Sequence, residues 1–131
     1  MQISHLDHWV LTVADIEATV AFYSEILGMT PVTFGEGRRA LSFGNQKINL
    51  HLLGAEFEPK ARTVQTGSAD LCFITHTPLD MVIVTLQEHA IEIEEGPVTR
   101  TGAVGPIRSV YVRDPDGNLI ELSNYPFVTS E

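Results

Sequence analysis

The stretch Arg113-Asp114-Pro115-Asp116-Gly117-Asn118-Leu119-Ile120-Glu121 determines how the last part of this chain folds. Its proline, glycine, aspartates and asparagine are the residues that favour a tight turn. Apolar and β-branched residues lie on both sides of them, which predicts strands at 107–113 and 118–123. We therefore expect two strands joined by this turn.

The residues upstream of this turn predict a strand, a helix and a further strand. Residues 69–75 are apolar enough to form a strand, and Thr77 is placed to cap the helix that follows it. That helix has one apolar face, made by Leu79, Val82, Leu86 and Ala90. A third strand is predicted at 91–94, so this half of the chain has the element order βαβββ.

The first half of the chain has the same element order. Residues 6–13 predict a strand, and Asp15 is placed to cap an amphipathic helix over 16–27 that Gly28 ends. Shorter strands are predicted near 30–34, 39–43 and 47–53, before a polar connector at 54–67. The fold class is therefore α+β, with two βαβββ units that form a curved mixed sheet with helices on its outer face.

Length and composition predict one domain over residues 1–131, with units at about 1–56 and 68–125. The net charge of -9 argues against binding to nucleic acid or to an anionic membrane. No apolar run is long enough for a membrane span, and a cytoplasmic protein is expected. Cys72 is the only cysteine, which excludes an internal disulfide, and it is expected to be a small buried apolar residue.

Strand periodicity places four potential metal donors on one side of the predicted sheet. Neighbouring residues of a strand point to opposite faces, and the apolar neighbours of each donor form the core face. The donors left on the other face are His8, His51, Asp70 and Glu121. His8 and Asp70 hold the same place in their units, and we expect His51 and Glu121 to be equivalent on the last strands.

Two neutral imidazoles with one or two carboxylates suit zinc, nickel, manganese, iron or cobalt. A single histidine or glutamate on a strand is more often a hydrogen-bonded surface residue than a ligand. Repetition in both halves favours coordination, and we predict that these residues bind a divalent metal ion. Asp70 either joins the ligands or orients a ligating histidine from outside.

Other polar residues have weaker claims on a site. His5, His76 and His89 are interpreted as bystanders at a strand start, a turn and a helix end. The segment 100–105, which is cationic at Arg100, is either an ordinary surface loop or a functional segment, a lid or an anion clamp. Arg38 and Arg39 present the same two alternatives.

Residues along nearly the whole chain resemble the vicinal-oxygen-chelate (glyoxalase/bleomycin resistance/dioxygenase) superfamily, which includes epimerases and extradiol dioxygenases. The likeness rests on residues 6–13, Phe22-Tyr23, Leu27-Gly28-Met29, Ile48-Asn49-Leu50-His51 and above all 113–121. Within the superfamily the chain is most similar to glyoxalase domain-containing protein 5 and to bacterial lactoylglutathione-lyase-like virulence proteins.

The resemblance implies one metal per site, held by the first and last strands of the units. His8 matches the family's first-strand histidine, His51 its fourth-strand ligand and Glu121 its last-strand glutamate. Bacterial glyoxalase I usually has glutamate where His51 stands and histidine where Asp70 stands, so this chain permutes the two. Many single-domain relatives pair their units across a dimer, which implies a homodimer here.

The leading hypothesis is a metal-dependent lyase or isomerase of glyoxalase type. It would bind a small molecule through two adjacent oxygens, and Glu121 or Asp70 would move a proton. A second hypothesis is a non-haem iron dioxygenase of extradiol type that uses His8, His51 and Glu121 as a facial triad. A third is a protein that binds a drug or metabolite without catalysis.

Overall fold

The structure, a computed structural model, describes residues 1–126. The chain divides into two compact units, Met1–Ser68 and Ala69–Glu131. Their boundary lies at the end of the polar connector, close to where the repeat places it. The predicted single domain also covers the last five residues, which lie outside the described part, and the assignment of one domain stays a prediction.

Unit 1 contains a four-stranded sheet and one helical segment. Its elements are β1 (His8–Val13), α1 (Ile16–Ala21), a π-helical turn (Phe22–Ile26), β2 (Thr30–Phe34), β3 (Arg38–Phe43) and β4 (Gln46–Leu52). The strand order is β1-β4-β3-β2, with β1 parallel to β4 and the other pairs antiparallel. The strands predicted for this unit are confirmed to within two residues at each end.

The helical segment begins at the predicted cap. Asp15 has an extended backbone, and its Oδ1 accepts a hydrogen bond from the backbone nitrogen of Ala18 at 3.0 Å. This bond satisfies one of the free donors of the first turn. Gly28 follows the helix with φ of 77°, a conformation that glycine adopts at little steric cost. The difference from the prediction is the wider π-helical winding of the second half, which residue spacing does not reveal.

One face of the unit 1 sheet forms the core with this helix. The buried residues are Leu11, Val13, Leu41, Ile48 and Leu50 from the strands and Val20, Phe22 and Tyr23 from the helical segment. Burial of each such side chain contributes about 1.5–3 kcal/mol before entropic costs. The helix therefore occupies one face and leaves the other to polar side chains.

Unit 2 repeats this topology. Its elements are β5 (Asp70–Ile74), α2 (Leu79–Glu88), β6 (Glu95–Thr101), β7 (Pro106–Arg113) and β8 (Leu119–Asn124). The strand order is β5-β8-β7-β6, with β5 parallel to β8 and the other pairs antiparallel. The buried apolar residues are Val82, Leu86, Ile107, Val110, Val112, Ile120 and Leu122. The βαβββ unit used twice is confirmed.

Two elements of unit 2 differ from their predictions. Pro78, not Thr77, occupies the N-cap of α2, because proline fixes the backbone angle at the helix entrance. The third strand spans 95–101 rather than 91–94. This strand, β6, is an edge strand, where glycine and proline are tolerated and the polar alternation is weak. The Gly96-Pro97 pair therefore looks like a turn in the sequence.

The turn between β7 and β8 is held by side chains. Asp114 Oδ1 accepts hydrogen bonds from the backbone nitrogens of Asp116 and Asn118, both at 2.9 Å. Asn118 Nδ2 donates to Asp114 Oδ2 at 2.8 Å, and Asn118 Oδ1 accepts from the backbone nitrogen of Ala69, also at 2.8 Å. The predicted turn is confirmed, and it also fixes the start of β5.

In residues 1–126, every helix falls short of the length and apolar character that crossing a membrane requires.

Candidate functional site

The two parallel strand pairs determine which residues of the units are equivalent. Lys47 donates from its backbone nitrogen to Asp7 at 3.3 Å, and Leu119 donates in the same way to Ala69 at 3.0 Å. His8 pairs with Lys47, and Asp70 pairs with Leu119, so His8 and Asp70 are equivalent as predicted. Counting along β4 and β8 from those pairs makes Asn49 the equivalent of Glu121.

The expected equivalence of His51 and Glu121 is therefore wrong. His51 corresponds to Ser123, two residues further along β8. A shift of two residues keeps a side chain on the same face, so strand periodicity cannot detect it. Asn49 is the position that the sequence argument overlooked, and the ladder of β1 with β4 is what identifies it.

The face of the unit 1 sheet opposite α1, here called donor face 1, contains His8, Thr12, Arg38, Lys47, Asn49 and His51. His8 pairs with Lys47, whereas His51 pairs with Thr12. Four register positions separate the two histidines, roughly 13 Å along the strands at 3.3 Å per residue. The face is as predicted, but the sheet of unit 1 does not bring the two rings together.

His8 lies at the exposed start of β1. Its Nδ1 atom is 2.8 Å from Asp7 Oδ2. The hydrogen bond from the His8 ring lowers the pKa of the Asp7 carboxyl group below its usual value. A carboxylate that holds Nδ1 fixes the ring orientation and leaves Nε2 for another partner, as in many metal-binding histidines.

His51 is buried, with 3% of its surface exposed. Within the described residues neither of its ring nitrogens has a hydrogen-bond partner, and the same holds for Asn49 Oδ1. The ring of Phe57 meets the His51 ring edge-on at 5.5 Å. Burial, and secondarily the charge of Arg38, lowers the pKa of His51, so its ring is neutral at neutral pH. Buried polar atoms without partners usually indicate a missing ligand or water.

The corresponding face of unit 2, donor face 2, contains Asp70, Cys72, Ser109, Glu121 and Ser123. Ser109 Oγ donates to Glu121 Oε2 at 2.6 Å and lies 2.7 Å from Ser123 Oγ. Asp70 is exposed and lies two register positions from Glu121, roughly 8 Å across the ladder. Ser109 thus holds Glu121 in place from one side, while the Asp70 carboxylate makes no hydrogen bond within residues 1–126.

Cys72 is on the same face and is exposed, so the expectation that it is buried is wrong. Its Sγ atom is 3.4 Å from Ser123 Oγ. Partial desolvation is the main cause that raises the pKa of the Cys72 thiol, and the nearby charge of Glu121 acts in the same direction. The hydrogen bond with Ser123 opposes this shift but does not cancel it. Cys72 looks buried in the sequence because it stands between the apolar residues Leu71 and Phe73. Only these two neighbours point to the core side of β5.

A cavity of about 360 Å³ opens beside Glu121. Its walls are Cys72, Ile74, Arg100, Thr101, Gly102, Ala103, Ile107, Glu121 and Tyr125. Arg100 donates to Tyr111 and forms an ion pair with Glu95 at 3.0 Å. The segment 100–105 is the end of β6 and a hairpin turn, closed by a hydrogen bond from Gly102 to Gly105. Residues 100–103 of this segment line the cavity, and its role as an ordinary loop, a lid or an anion clamp stays open.

Residues 5–122 match the glyoxalase/bleomycin resistance protein/dioxygenase superfamily. This chain belongs to that superfamily. The virulence protein STM3117 of Salmonella typhimurium is 58% identical over 125 residues, which cover 95% of this chain and 87% of that protein. The integron cassette protein VCH_CASS1 of V. cholerae has a solved structure with 63% identity and a TM-score of 0.94, covering 95% of this chain and 98% of that one.

A lactoylglutathione lyase from Agrobacterium tumefaciens is a more distant structural match. It is 24% identical with a TM-score of 0.73, covering 96% of this chain and 97% of that one. At this identity the match shows the fold alone. The glyoxalase fold class predicted from the sequence is confirmed.

Members of the glyoxalase superfamily commonly bind small molecules and use a divalent metal. Within residues 1–126, no group of three or more His, Cys, Asp or Glu side chains is assembled as a metal site. The donor chemistry of individual residues nevertheless fits a metal, since His51 is neutral, buried and without a partner. The assignment of His8, His51, Asp70 and Glu121 as ligands stays a prediction.

The three histidines interpreted as bystanders lie away from these faces or have other partners. His5 Nδ1 contacts Ser4 Oγ at 2.6 Å, and His89 Nδ1 contacts the carbonyl of Thr85 at the end of α2 at 2.9 Å. His76 follows β5 in the segment that leads to α2.

Proposed function

We propose that this protein is a metal-dependent lyase or isomerase of glyoxalase type that acts on a small molecule with two adjacent oxygens. Its ligands would come from His8, His51, Asp70 and Glu121. The observation that carries the proposal is the Glu121 carboxylate on the wall of a cavity large enough for a small molecule.

Glu121 is suited to move a proton. Its Oε2 atom is fixed by Ser109 at 2.6 Å, which orients the carboxylate along β8. A base on a rigid strand, half-buried and beside the substrate cavity, needs little reorganisation to reach a carbon acid. Asp70 is the second candidate, because its exposed carboxylate is not held by a hydrogen bond within residues 1–126.

Arg100 would position the substrate. Its guanidinium lies on the same cavity wall and is held by Tyr111 and Glu95. Planar guanidinium groups bind pairs of oxygens through two parallel hydrogen bonds. A bound divalent metal would act as a Lewis acid toward the two adjacent oxygens of the substrate. His51 supports metal binding because its lowered pKa keeps the ring in the neutral form that ligates.

Elemental analysis of the purified protein, combined with turnover assays, tests the proposal. We expect near-stoichiometric metal in the native chain and metal-dependent turnover of a thiohemiacetal, a 2-hydroxy ketone or an acyl thioester. His51→Gln should weaken metal binding by more than about 100-fold, beyond the roughly 10–100-fold that the loss of an outer partner costs. Glu121→Gln should lower kcat by about 10²–10⁴-fold.

Matched variants separate these effects from general damage. His89→Gln and Glu92→Gln change the same residue types on exposed positions of unit 2 and should leave metal content and kcat unchanged. Protein that takes up no metal after reconstitution, or that turns over none of the three substrate classes with metal bound, would contradict the proposal. Oxygen uptake with catechols and iron(II) would instead support an extradiol-type dioxygenase.

A further inference from the structure

Donor face 1 carries two cations that form no ion pair within residues 1–126. The side chains of Arg38 and Lys47 also make no hydrogen bond there, although Lys47 lies near enough to Asp7 to lower the pKa of its carboxyl group. Four other cations of the described chain are each paired with a glutamate, namely Arg39, Lys60, Arg100 and Arg113. In a chain of net charge -9, two unpaired cations on one face form a local positive field.

Aromatic rings hold both cations in place. The Arg38 guanidinium lies 4.4 Å from the ring centre of Phe57 and 5.2 Å from that of Phe34. Lys47 Nζ lies 3.9 Å above the Phe34 ring. Such contacts contribute about 0.5–1 kcal/mol each at exposed sites. They fix the side chains and leave their N–H donors to a ligand.

Two buried polar groups lie on the same face. Asn49 Oδ1 and both nitrogens of His51 are buried, and in the described chain they have no partner. Asn49 is 7% exposed and His51 3%. Phe57 contacts the His51 ring and also the Arg38 guanidinium, which places the cation beside the buried imidazole. Glu56 and Glu58, which flank Phe57 in the sequence, are paired with Lys60.

We propose that donor face 1 binds the anionic group of a hydroxylated small molecule. Arg38 and Lys47 supply the charge, and Asn49 Oδ1 accepts a hydrogen bond from a ligand hydroxyl. The two partnerless ring nitrogens of His51 lie on the same face and offer further hydrogen-bonding positions to a ligand. This inference goes beyond the proposed function, because it assigns to unit 1 a ligand class of its own, an organic anion that carries a hydroxyl group.

Binding measured on metal-free protein separates this inference from the proposed activity. Protein treated with EDTA is titrated with glycerate, glycerol 3-phosphate and uncharged glycerol, and binding is followed by calorimetry and by NMR shifts of the Asn49 side-chain amide. We expect glycerate or glycerol 3-phosphate to bind, glycerol to bind at least about 10-fold more weakly, and added NaCl to weaken only the anions. The stronger of the two anions identifies a carboxylate or a phosphate as the natural group.

Substitutions test the residues. Arg38→Gln and Lys47→Gln should each weaken the anion by about 10-fold, and Asn49→Ala should weaken glycerate while leaving inorganic phosphate unaffected. Arg62→Gln, an exposed arginine of the same unit, is the matched control and should change nothing. Two outcomes overturn the inference: no anion binding in folded protein, or binding that Arg38→Gln and Lys47→Gln leave intact. Failure of turnover with intact anion binding would count against the proposed function alone.

Discussion

Asn118 connects two separate parts of unit 2 through one side chain. It is fully buried, its Nδ2 donates to Asp114, and its Oδ1 accepts from the backbone of Ala69 at the start of β5. Asp114 is buried and Ala69 is half-buried. The Asn118 side chain therefore supplies hydrogen bonds to the Ala69 backbone and to Asp114 that water would otherwise have to supply.

Asn118→Ala should lower the free energy of unfolding by about 2–4 kcal/mol, because it leaves buried polar groups without partners. Urea denaturation followed by circular dichroism measures the change. Asn45→Ala, in the exposed turn between β3 and β4, should change stability by about 0.5 kcal/mol or less. Equal effects of the two substitutions would show that the Asn118 contacts do not stabilise the unit.

At the scale of single elements, β6 depends on one glycine. Gly96 has φ of 111°, and a Cβ atom there would lie 2.4 Å from the carbonyl oxygen of Ser109 and 3.0 Å from Val110 Cα. These are backbone atoms of the neighbouring strand, so they cannot move aside as the end of a flexible side chain does. β6 can pair closely with β7 only if this position lacks a side chain.

Gly96→Ala should therefore destabilise the protein by about 2–4 kcal/mol, through steric overlap added to backbone strain. Gly44→Ala is the matched control. Gly44 also has a positive φ, 52°, but a Cβ atom at this position would have no neighbouring atom within 4 Å. It should cost only about 1 kcal/mol, from backbone strain alone. Thermal unfolding of both variants compares the two costs. A Gly96 variant as stable as the Gly44 variant would refute the steric argument.

The elements that the sequence predicts well are those with a strong local signal. Asp15 caps the first helical segment and Gly28 ends it, while the run 114–118 forms the turn between β7 and β8. Each of these features depends on residues close together in the sequence. β6 was misplaced because its half-buried positions carry Gly96, Val98 and Arg100, so the alternation in burial is not matched by an alternation of apolar residues. The π-helical turn was not predicted because its winding depends on packing of residues such as Tyr23, which is fully buried.

At the scale of the whole molecule, the repeat predicts the topology but not the alignment of the site residues. Strand periodicity correctly assigns His8, His51, Asp70 and Glu121 to the faces opposite the helices. It leaves the register open, since any shift by two residues preserves the face. Only the hydrogen-bonded ladders reveal that Asn49 is the equivalent of Glu121.

We predict that the protein is a homodimer, as the resemblance implies. Light scattering coupled to size-exclusion chromatography should give a mass twice the 14.4 kDa of one chain at micromolar concentration. Metal-free protein should be measured beside the metal-loaded form, so that assembly and metal binding are judged separately. A monomeric mass in both forms would contradict the prediction.

The network around Asp114 and Asn118 affects how relatives of this chain should be sorted. The side chains of that run are occupied in holding backbone, so a descendant that lost all chemistry would still need them in order to fold. The run 114–118 therefore has diagnostic value for ancestry and little for activity. A survey that aims to separate working enzymes from inactive descendants should compare positions 8, 49, 51, 70 and 121 instead.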